Sequence, residues 1–197
     1  MSNIPSVTVK CGSFSAKDTL SSGQCFRWNE RDGIMCGTAF GRYIEVKQDG
    51  GSLTIIGADA EEYDRIWRGY FDLDRDYDGI RDVVTQIEPR LEDAAEYASG
   101  VHILAQEPWE ALCSFVISQN NNIPRIRGII RKLCLNYGEK AVRGEYADDE
   151  ADGRAFPTAE ALAAVPEETF KEFGCGYRAA YLAEVSHRVA EGEIDLE

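Results

Sequence analysis

Three short segments of this 197-residue chain hold polar groups where a purely structural sequence would not need them. In Ser22-Gly23-Gln24-Cys25-Phe26-Arg27-Trp28 a glycine enters an apolar run. With no side chain in the way, its backbone can be approached closely, and a bare carbonyl or amide there can read a ligand. The plainer reading is a turn glycine followed by core aromatics. In Ser118-Gln119-Asn120-Asn121-Asn122-Ile123-Pro124-Arg125 a polar joint separates two very apolar stretches. Asparagine offers donors and acceptors, and an arginine on the next first helical turn can fork onto a base or a phosphate. Helix capping beside a solvated arginine would explain most of this, but three consecutive asparagines exceed what two caps require. In Gly174-Cys175-Gly176-Tyr177-Arg178 two glycines expose a tyrosine and an arginine at a helix start. That shape suits a ring pushed between bases beside a guanidinium on a base edge or phosphate; a glycine-rich turn with a core tyrosine is the simpler account. The three segments together weaken all three plain readings.

The elements that must position these segments change character along the chain. Up to residue 57 the sequence reads as strands, at residues 7–10, 24–28, 34–40, 43–48 and 52–56, with turns at 29–33 and at Asp49-Gly50-Gly51. Alternation in Tyr43-Ile44-Glu45-Val46-Lys47 and Leu53-Thr54-Ile55 gives each strand one apolar face, so a small antiparallel sheet with one side to cover is expected. From Ala58 the period is helical. Asp59 can cap a segment carrying Tyr63, Ile66, Trp67 and Tyr70 on one stripe. Asp78 can cap the next, with Ile80, Val83, Val84 and Ile87 running up to Pro89; these two helices are expected to cover the sheet. Pro108 opens a helix over 108–117 with Trp109, Leu112, Cys113, Val116 and Ile117 inward. Pro124 opens another, with Ile126, Ile129, Ile130, Leu133, Cys134 and Tyr137 repeating until Gly138. The acidic residues 145–154 read as an exposed loop, followed by shorter helices at 158–164, 166–173 and 177–190. The fold class is α+β, with a sheet domain and its covering helices over 1–106 and an all-α region over 107–197.

Composition narrows the function classes. The 44% hydrophobic content is ordinary for a globular chain, no apolar run approaches the roughly 18 residues of a membrane span, and the first ten residues lack a basic segment followed by an apolar one. An intracellular protein is expected, cytoplasmic if prokaryotic, with no membrane partner. Cys11, Cys25, Cys36, Cys113, Cys134 and Cys175 are scattered without a C-x-x-C pair, and His102 and His187 stand apart from any cysteine pair. Buried or half-buried free thiols are therefore expected rather than disulfides or zinc, and no cofactor is implied. The net charge of −14 is unusual for a nucleic-acid binder, yet residues 111–138 contain no acid and carry Arg125, Arg127, Arg131 and Lys132. A basic strip on an acidic protein is compatible with DNA, with weaker and more salt-sensitive binding than a uniformly basic surface gives.

Gly23-Gln-Cys-Phe-Arg-Trp28, Gln119-Asn-Asn-Asn-Ile-Pro-Arg-Ile126 and Gly174-Cys-Gly-Tyr-Arg-Ala179 resemble three signature segments of the 8-oxoguanine DNA glycosylase family, in the right order and at plausible separations. Each is moderately specific; the ordered set is highly specific. The resemblance implies a base-flipping enzyme of base-excision repair, with AP lyase activity, in the helix-hairpin-helix superfamily. It implies a saddle-shaped, TBP-like sheet domain ahead of a helical domain, and duplex DNA with oxidised guanine opposite cytosine as partner. It further implies that Gly23 offers its carbonyl to the N7–H that only the oxidised base has, and that Asn120 fills the gap left by the flipped base. Arg125 and Arg178 then hold the orphaned cytosine, and Tyr177 is the wedge beside it.

In the family a lysine amine attacks the sugar and forms a Schiff base, with an aspartate further on, both after a glycine-rich hairpin. No counterpart stands in this sequence: the last lysine is Lys171, so no catalytic residue is assigned, and the family's lysine and aspartate are expected beyond residue 197. Lys132 and Lys171 read as amphipathic-helix lysines without an acidic partner. Tyr181, Leu182, Val185 and Val189 form a stripe expected to pack on helices outside this sequence. The preferred expectation is the front part of a glycosylase/lyase, inactive alone. The alternative is a non-enzymatic lesion- or DNA-binding module, or half of a split enzyme whose separate chain supplies the rest. A third reading keeps the fold and denies DNA contact; it requires Arg125, Arg127, Arg131 and Lys132 to be dispersed away from Tyr177 and Arg178, whereas i, i+4 spacing of Arg127 and Arg131 predicts partial clustering.

Overall fold

The computed structural model describes residues 4–196 and is α+β. Strands β1 (Ser6–Lys10), β2 (Trp28–Arg31), β3 (Ile34–Ala39), β4 (Arg42–Asp49) and β5 (Ser52–Ile56) form one sheet in the order β1-β5-β4-β3-β2. β5 pairs antiparallel with β4 and β1, Ile56 lying opposite both Glu45 and Ser6. Successive hairpins are tight. Asp32 and Gly33 both take positive φ, 48° and 80°, the mirror-image turn whose twist matches two strands joined by two residues. The chain divides into two compact units: Met1–Gln24, Trp28–Cys36 and Ile44–Ala105 in the first, Cys25–Arg27, Gly37–Tyr43 and Gln106–Glu197 in the second.

In the first unit the sheet is joined by α1 (Ala16–Ser21) and by a helical run made of α2 (Ala60–Glu62), a π-helical turn (Tyr63–Trp67) and α3 (Arg68–Tyr70). α1 was not anticipated; it is six residues long, and its sequence signal is Ser15, whose hydroxyl caps the Asp18 amide at 3.2 Å. Asp59 caps the Glu62 amide at 2.9 Å, as expected. Trp28, Trp67 and Phe71 are buried, and the Trp28 indole N–H donates to the Tyr70 hydroxyl at 2.9 Å. The next helix, α4 (Tyr77–Ile87), departs from expectation twice. Its cap is Asp76 rather than Asp78, accepting from the Gly79 amide at 2.9 Å. Its apolar stripe does not cover the sheet: Ile80, Val83, Val84 and Ile87 are 47%, 54%, 38% and 79% exposed. The earlier aromatic run already fills the sheet's core, so periodicity gave the helix but not its partner. A short α5 (Glu92–Tyr97) follows.

His102 closes this unit. Its Nδ1 lies 3.2 Å from the carbonyls of Phe71 and Asp72, its ring stacks on Tyr77 at 3.8 Å and edges onto Phe14 at 5.1 Å, and Nε2 is buried without a hydrogen-bond partner among the described residues. Burial pushes its pKa below the usual imidazole value, against a smaller upward pull from those carbonyls and from Asp72 and Asp78. A histidine kept neutral in the fold but free to protonate when unfolded contributes stability above its unfolded pKa of about 6.5, and loses it as pH falls below that. His102→Gln is expected to flatten the decline in unfolding free energy between about pH 6.5 and 5, read from denaturant midpoints of both proteins. An unchanged slope would mean that His102 titrates alike folded and unfolded.

The second unit is built on α6 (Pro108–Ser118), α7 (Ile123–Tyr137), α8 (Ala159–Ala163), α9 (Glu167–Phe173) and α10 (Arg178–Ala190). Cys113, Ile117, Ile126, Ile129, Ile130, Leu133 and Cys134, the inward faces read from the sequence, meet Leu162, Phe170 and Leu182 in one buried cluster. All six cysteines are free and buried. Residues 145–154 are not the plain loop expected. A 3-10 turn (Gly144–Tyr146) begins them, Ala151 is buried, and Gly144 and Gly153 meet backbone to backbone with no room for a Cβ on either. The segment just before is stitched to the Gly37–Tyr43 hairpin, the Tyr43 amide donating to Val142 O at 3.0 Å and the Val142 amide to Gly41 O at 2.9 Å. Among the described residues, no helix is long and apolar enough to cross a membrane.

Candidate nucleic-acid interface

The joint between α6 and α7 is a type II turn. Ser118 O accepts from the Asn121 amide at 3.1 Å, Gln119 is extended (φ −53°, ψ 117°), and Asn120 takes φ +46° at the position where that turn demands positive φ. Glycine or asparagine satisfies the backbone there; only asparagine adds an amide. The other two asparagines are occupied. Asn121 donates through Nδ2 to Ile117 O at 2.9 Å and accepts the Asn122 amide at 3.0 Å, and Asn122 caps α7 through the Arg125 amide at 3.0 Å. The surplus asparagine is Asn120, whose exposed side chain has no hydrogen-bond partner among the described residues.

Arg178 holds this turn from beneath. Its Nε donates to Gln119 O at 2.6 Å and its Nη2 to Asn120 O at 2.7 Å; Nη2 also donates to Gln119 O, and Nη1 reaches Cys175 O at 3.3 Å. The side chain is 4% exposed. Sequence reasoning placed Arg178 at the surface facing a base; here its guanidinium serves the backbone of the Asn120 turn. The Tyr177 ring lies against it, 4.5 Å from centroid to guanidinium carbon, while remaining 57% exposed. Glycine makes this corner: Gly174 (φ +102°) ends α9 and Gly176 has φ +60°.

Arg125 donates to Gly174 O at 2.9 Å and Lys132 to Phe173 O at 3.0 Å, so both cations sit at the carbonyl end of α9. Asn120, Arg125, Lys132, Tyr177 and Arg178 thus gather around two loops. Arg131 turns away to Asp149 at 2.8 Å, which holds that carboxyl below its ordinary range. The basic strip therefore clusters only in part. Beside Tyr177 a groove of about 400 Å³ is lined by Phe115, Val116, Tyr181, Val185 and Ile194. Of the expected stripe, Tyr181 is exposed and Val185 borders this groove, whereas Leu182 is in the core.

Gly23 belongs to the first unit. It is exposed, with φ +90°, and a Cβ there would meet nothing within 4 Å, so the backbone conformation rather than crowding calls for glycine. The strand expected over residues 24–28 is absent as drawn. Gln24 turns its amide to other backbone, Phe26 joins the second unit's core, Arg27 pairs with Glu110, and the strand begins only at Trp28, extending through Arg31 where a turn was read. Sequence reasoning also missed the Gln119 carbonyl and the Arg27–Glu110 pair; nothing local links residues 83 positions apart. Lys171 does have acidic partners, contrary to expectation: Glu167 at 2.9 Å and Glu168 at 3.1 Å, one helical turn away, raise its pKa. Among the described residues, no cluster of metal-ligating side chains occurs.

Residues 6–112 match the family described as 8-oxoguanine DNA glycosylase, N-terminal domain. A Saccharomyces cerevisiae N-glycosylase/DNA lyase is 39% identical over 97 residues, covering 49% of this chain and 25% of the yeast protein. The structure of MBOgg1 in complex with a low affinity DNA ligand superposes with a TM-score of 0.91 at 37% identity, over 100% of this chain and 66% of that one. The Clostridium acetobutylicum 8-oxoguanine glycosylase/lyase, in complex with double-stranded DNA containing cytosine opposite 8-oxoguanine, gives 0.88 at 35% identity, over 98% of this chain and 65% of that one. The chain thus spans a quarter of the yeast protein and about two thirds of the two solved relatives. With more than half of its residues inside the family's N-terminal domain and its described fold shared with two members, this chain belongs to the 8-oxoguanine DNA glycosylase family.

Proposed function

We propose that this chain is the lesion- and DNA-reading part of a base-excision glycosylase/lyase, acting on duplex DNA that carries oxidised guanine opposite cytosine. The observation that carries the reading is the Asn120 turn. A side-chain amide is presented at positive φ on a turn clamped by a buried arginine, beside an exposed aromatic ring. Such a rigid polar finger with a neighbouring wedge suits the hole left by a flipped nucleotide, whose unpaired partner needs donors on its base edge. Arg125 supplies a further guanidinium, and Gly23 a backbone that a base can approach. The break between compact units at Ala105 and Gln106 supports a sheet domain over 1–106 and a helical domain from 107, except that Cys25–Arg27 and Gly37–Tyr43 group with the second unit. Base excision and repair place the protein where DNA is, inside the cell.

Lys17, Lys132 and Lys171 do not carry the Schiff-base chemistry in this reading. A nucleophilic amine needs a lowered pKa, whereas Lys171 is held protonated between two carboxylates, Lys17 pairs with Glu30 at 3.0 Å and Lys132 donates to a carbonyl.

The test is a duplex with 8-oxoguanine opposite cytosine, assayed for binding at low salt, for excision and for borohydride-trapped adduct. The chain alone is expected to bind it more tightly than the undamaged duplex and to form no adduct, and Lys171→Ala is expected to change neither. A trapped adduct that disappears in Lys171→Ala would overturn the assignment of the chemistry elsewhere. Equal affinity for damaged and undamaged duplexes would overturn the lesion reading and leave the alternative of a general DNA-binding module.

A further inference from the structure

We infer that Gln24 is a positioning residue for lesion recognition: its side-chain amide fixes the peptide of Gly23, and so sets where the carbonyl that reads the base can point. The inference rests on the function proposed above.

That peptide is intrinsically free. Gly23 sits in the positive-φ region at the surface, on a bend that follows the last turn of α1, and no Cβ or strand ladder restrains it. A backbone carbonyl that discriminates one hydrogen on a base must be held to within a few tenths of an ångström, and a free glycine bend cannot do that. The restraint comes from both sides of Gly23. On one side, Ser22 is tied to α1, its hydroxyl donating to Thr19 O at 2.8 Å. On the other, Gln24 donates through Nε2 to Ser22 Oγ at 3.0 Å and to His102 O at 2.9 Å, while its Oε1 accepts the Leu104 amide at 3.1 Å. One side chain thereby spans the glycine and docks on residues 102–104 as a neighbouring strand's peptide would.

The dock itself is rigid. The His102 amide donates to Thr19 Oγ1 at 3.1 Å, and the same hydroxyl donates to Gly100 O at 3.0 Å, joining this segment to α1, the helix that Ser22 follows. Beneath it the His102 ring is held by the Phe71 and Asp72 carbonyls and the Tyr77 stack. Asparagine would fall one methylene short of both partners, and glutamate would set a carboxylate against His102 O; the geometry therefore calls for glutamine.

The variants are Gln24→Met, which keeps the shape without the hydrogen bonds, and Gln24→Glu, which keeps only the acceptor. Two measurements are made on the unchanged protein and on both variants. The first is the ratio of affinities for an 8-oxoguanine:cytosine duplex and its guanine:cytosine counterpart. The ratio is expected to fall about ten-fold or more in both variants, with affinity for the undamaged duplex and its salt dependence unchanged. The second is amide hydrogen exchange, expected to quicken at least ten-fold at Leu104 and at residues 22–24 in Gln24→Met, and to stay protected in β4. Undiminished discrimination, or exchange as slow as in the unchanged protein, would overturn the inference. If the unchanged protein prefers neither duplex, the function proposed above is overturned and Gln24's part in lesion reading goes with it. In that case the exchange result still decides whether the clamp on Gly23 exists.

Discussion

Replacing Glu110 by glutamine is expected to lower the unfolding free energy by about 3–5 kcal/mol, the usual cost of leaving one member of a buried ion pair alone. The Arg27 and Glu110 side chains are 6% and 17% exposed and meet at 3.2 Å between Nη1 and Oε2, and Arg27 also donates to Arg154 O. Burial pushes the Glu110 carboxyl above the ordinary carboxylate range, and the guanidinium pulls it partly back. Glutamine keeps the volume and one acceptor but removes the countercharge, so the guanidinium stays charged in a site nearly closed to water. Denaturant titrations of the two proteins measure the difference. The double variant Arg27→Met/Glu110→Leu separates charge from packing, and is expected to lose much less than Glu110→Gln, because removing both partners leaves no orphan charge. A loss below about 1 kcal/mol in Glu110→Gln would mean that water reaches the pair and that it behaves like a surface bridge.

That pair also shows where the sequence stops being informative. Helical periodicity located α6, α7 and α10 and eight of the thirteen buried cluster residues, because an amphipathic stripe and its burial are the same fact seen twice; Leu162, Val165, Phe170, Cys175 and Ala179 stood in no stripe read from the sequence. The hairpin turns at Asp32-Gly33 and at Gly50 were legible for a similar reason: positive φ restricts the residue types that can stand at Asp32, Gly33 and Gly50. Features that depend on a partner far along the chain were not legible. The stripe of α4 looked like a covering face and is exposed, since periodicity cannot say whether an apolar face has been given a partner. Gln24 looked like a strand residue, because its side-chain bonds to His102 and Leu104 span 78 and 80 positions. At the candidate interface the sequence brought the right segments into view, but not the contacts among them. The excess of asparagines over caps pointed to Asn120, whereas nothing local indicated that Arg178 would be buried under that turn.

The burial of Arg178 makes the second large effect calculable. Arg178→Lys keeps the charge but replaces a planar fork by a single ammonium, which cannot serve Gln119 O, Asn120 O and Cys175 O together. Hydrogen bonds from a charged donor contribute about 1.5–3 kcal/mol each, so losing one or two predicts a fall in affinity for the 8-oxoguanine:cytosine duplex of about 100-fold, beyond any loss at undamaged DNA. The companion variant is Asn120→Gly rather than Asn120→Ala. Alanine at φ +46° would add left-handed strain of about 1–2 kcal/mol to the loss of the amide, whereas glycine keeps the type II turn and removes the amide alone. If Asn120→Gly weakens lesion binding as much as Arg178→Lys while its thermal midpoint stays put, the amide is the reading group and Arg178 acts by holding it. If Asn120→Gly binds normally and Arg178→Lys does not, the guanidinium must leave the two carbonyls on binding and touch DNA itself. The resting structure then stores it under the turn until a duplex draws it out, and the thermal midpoint of Arg178→Lys should fall in the free protein but recover little when DNA is added.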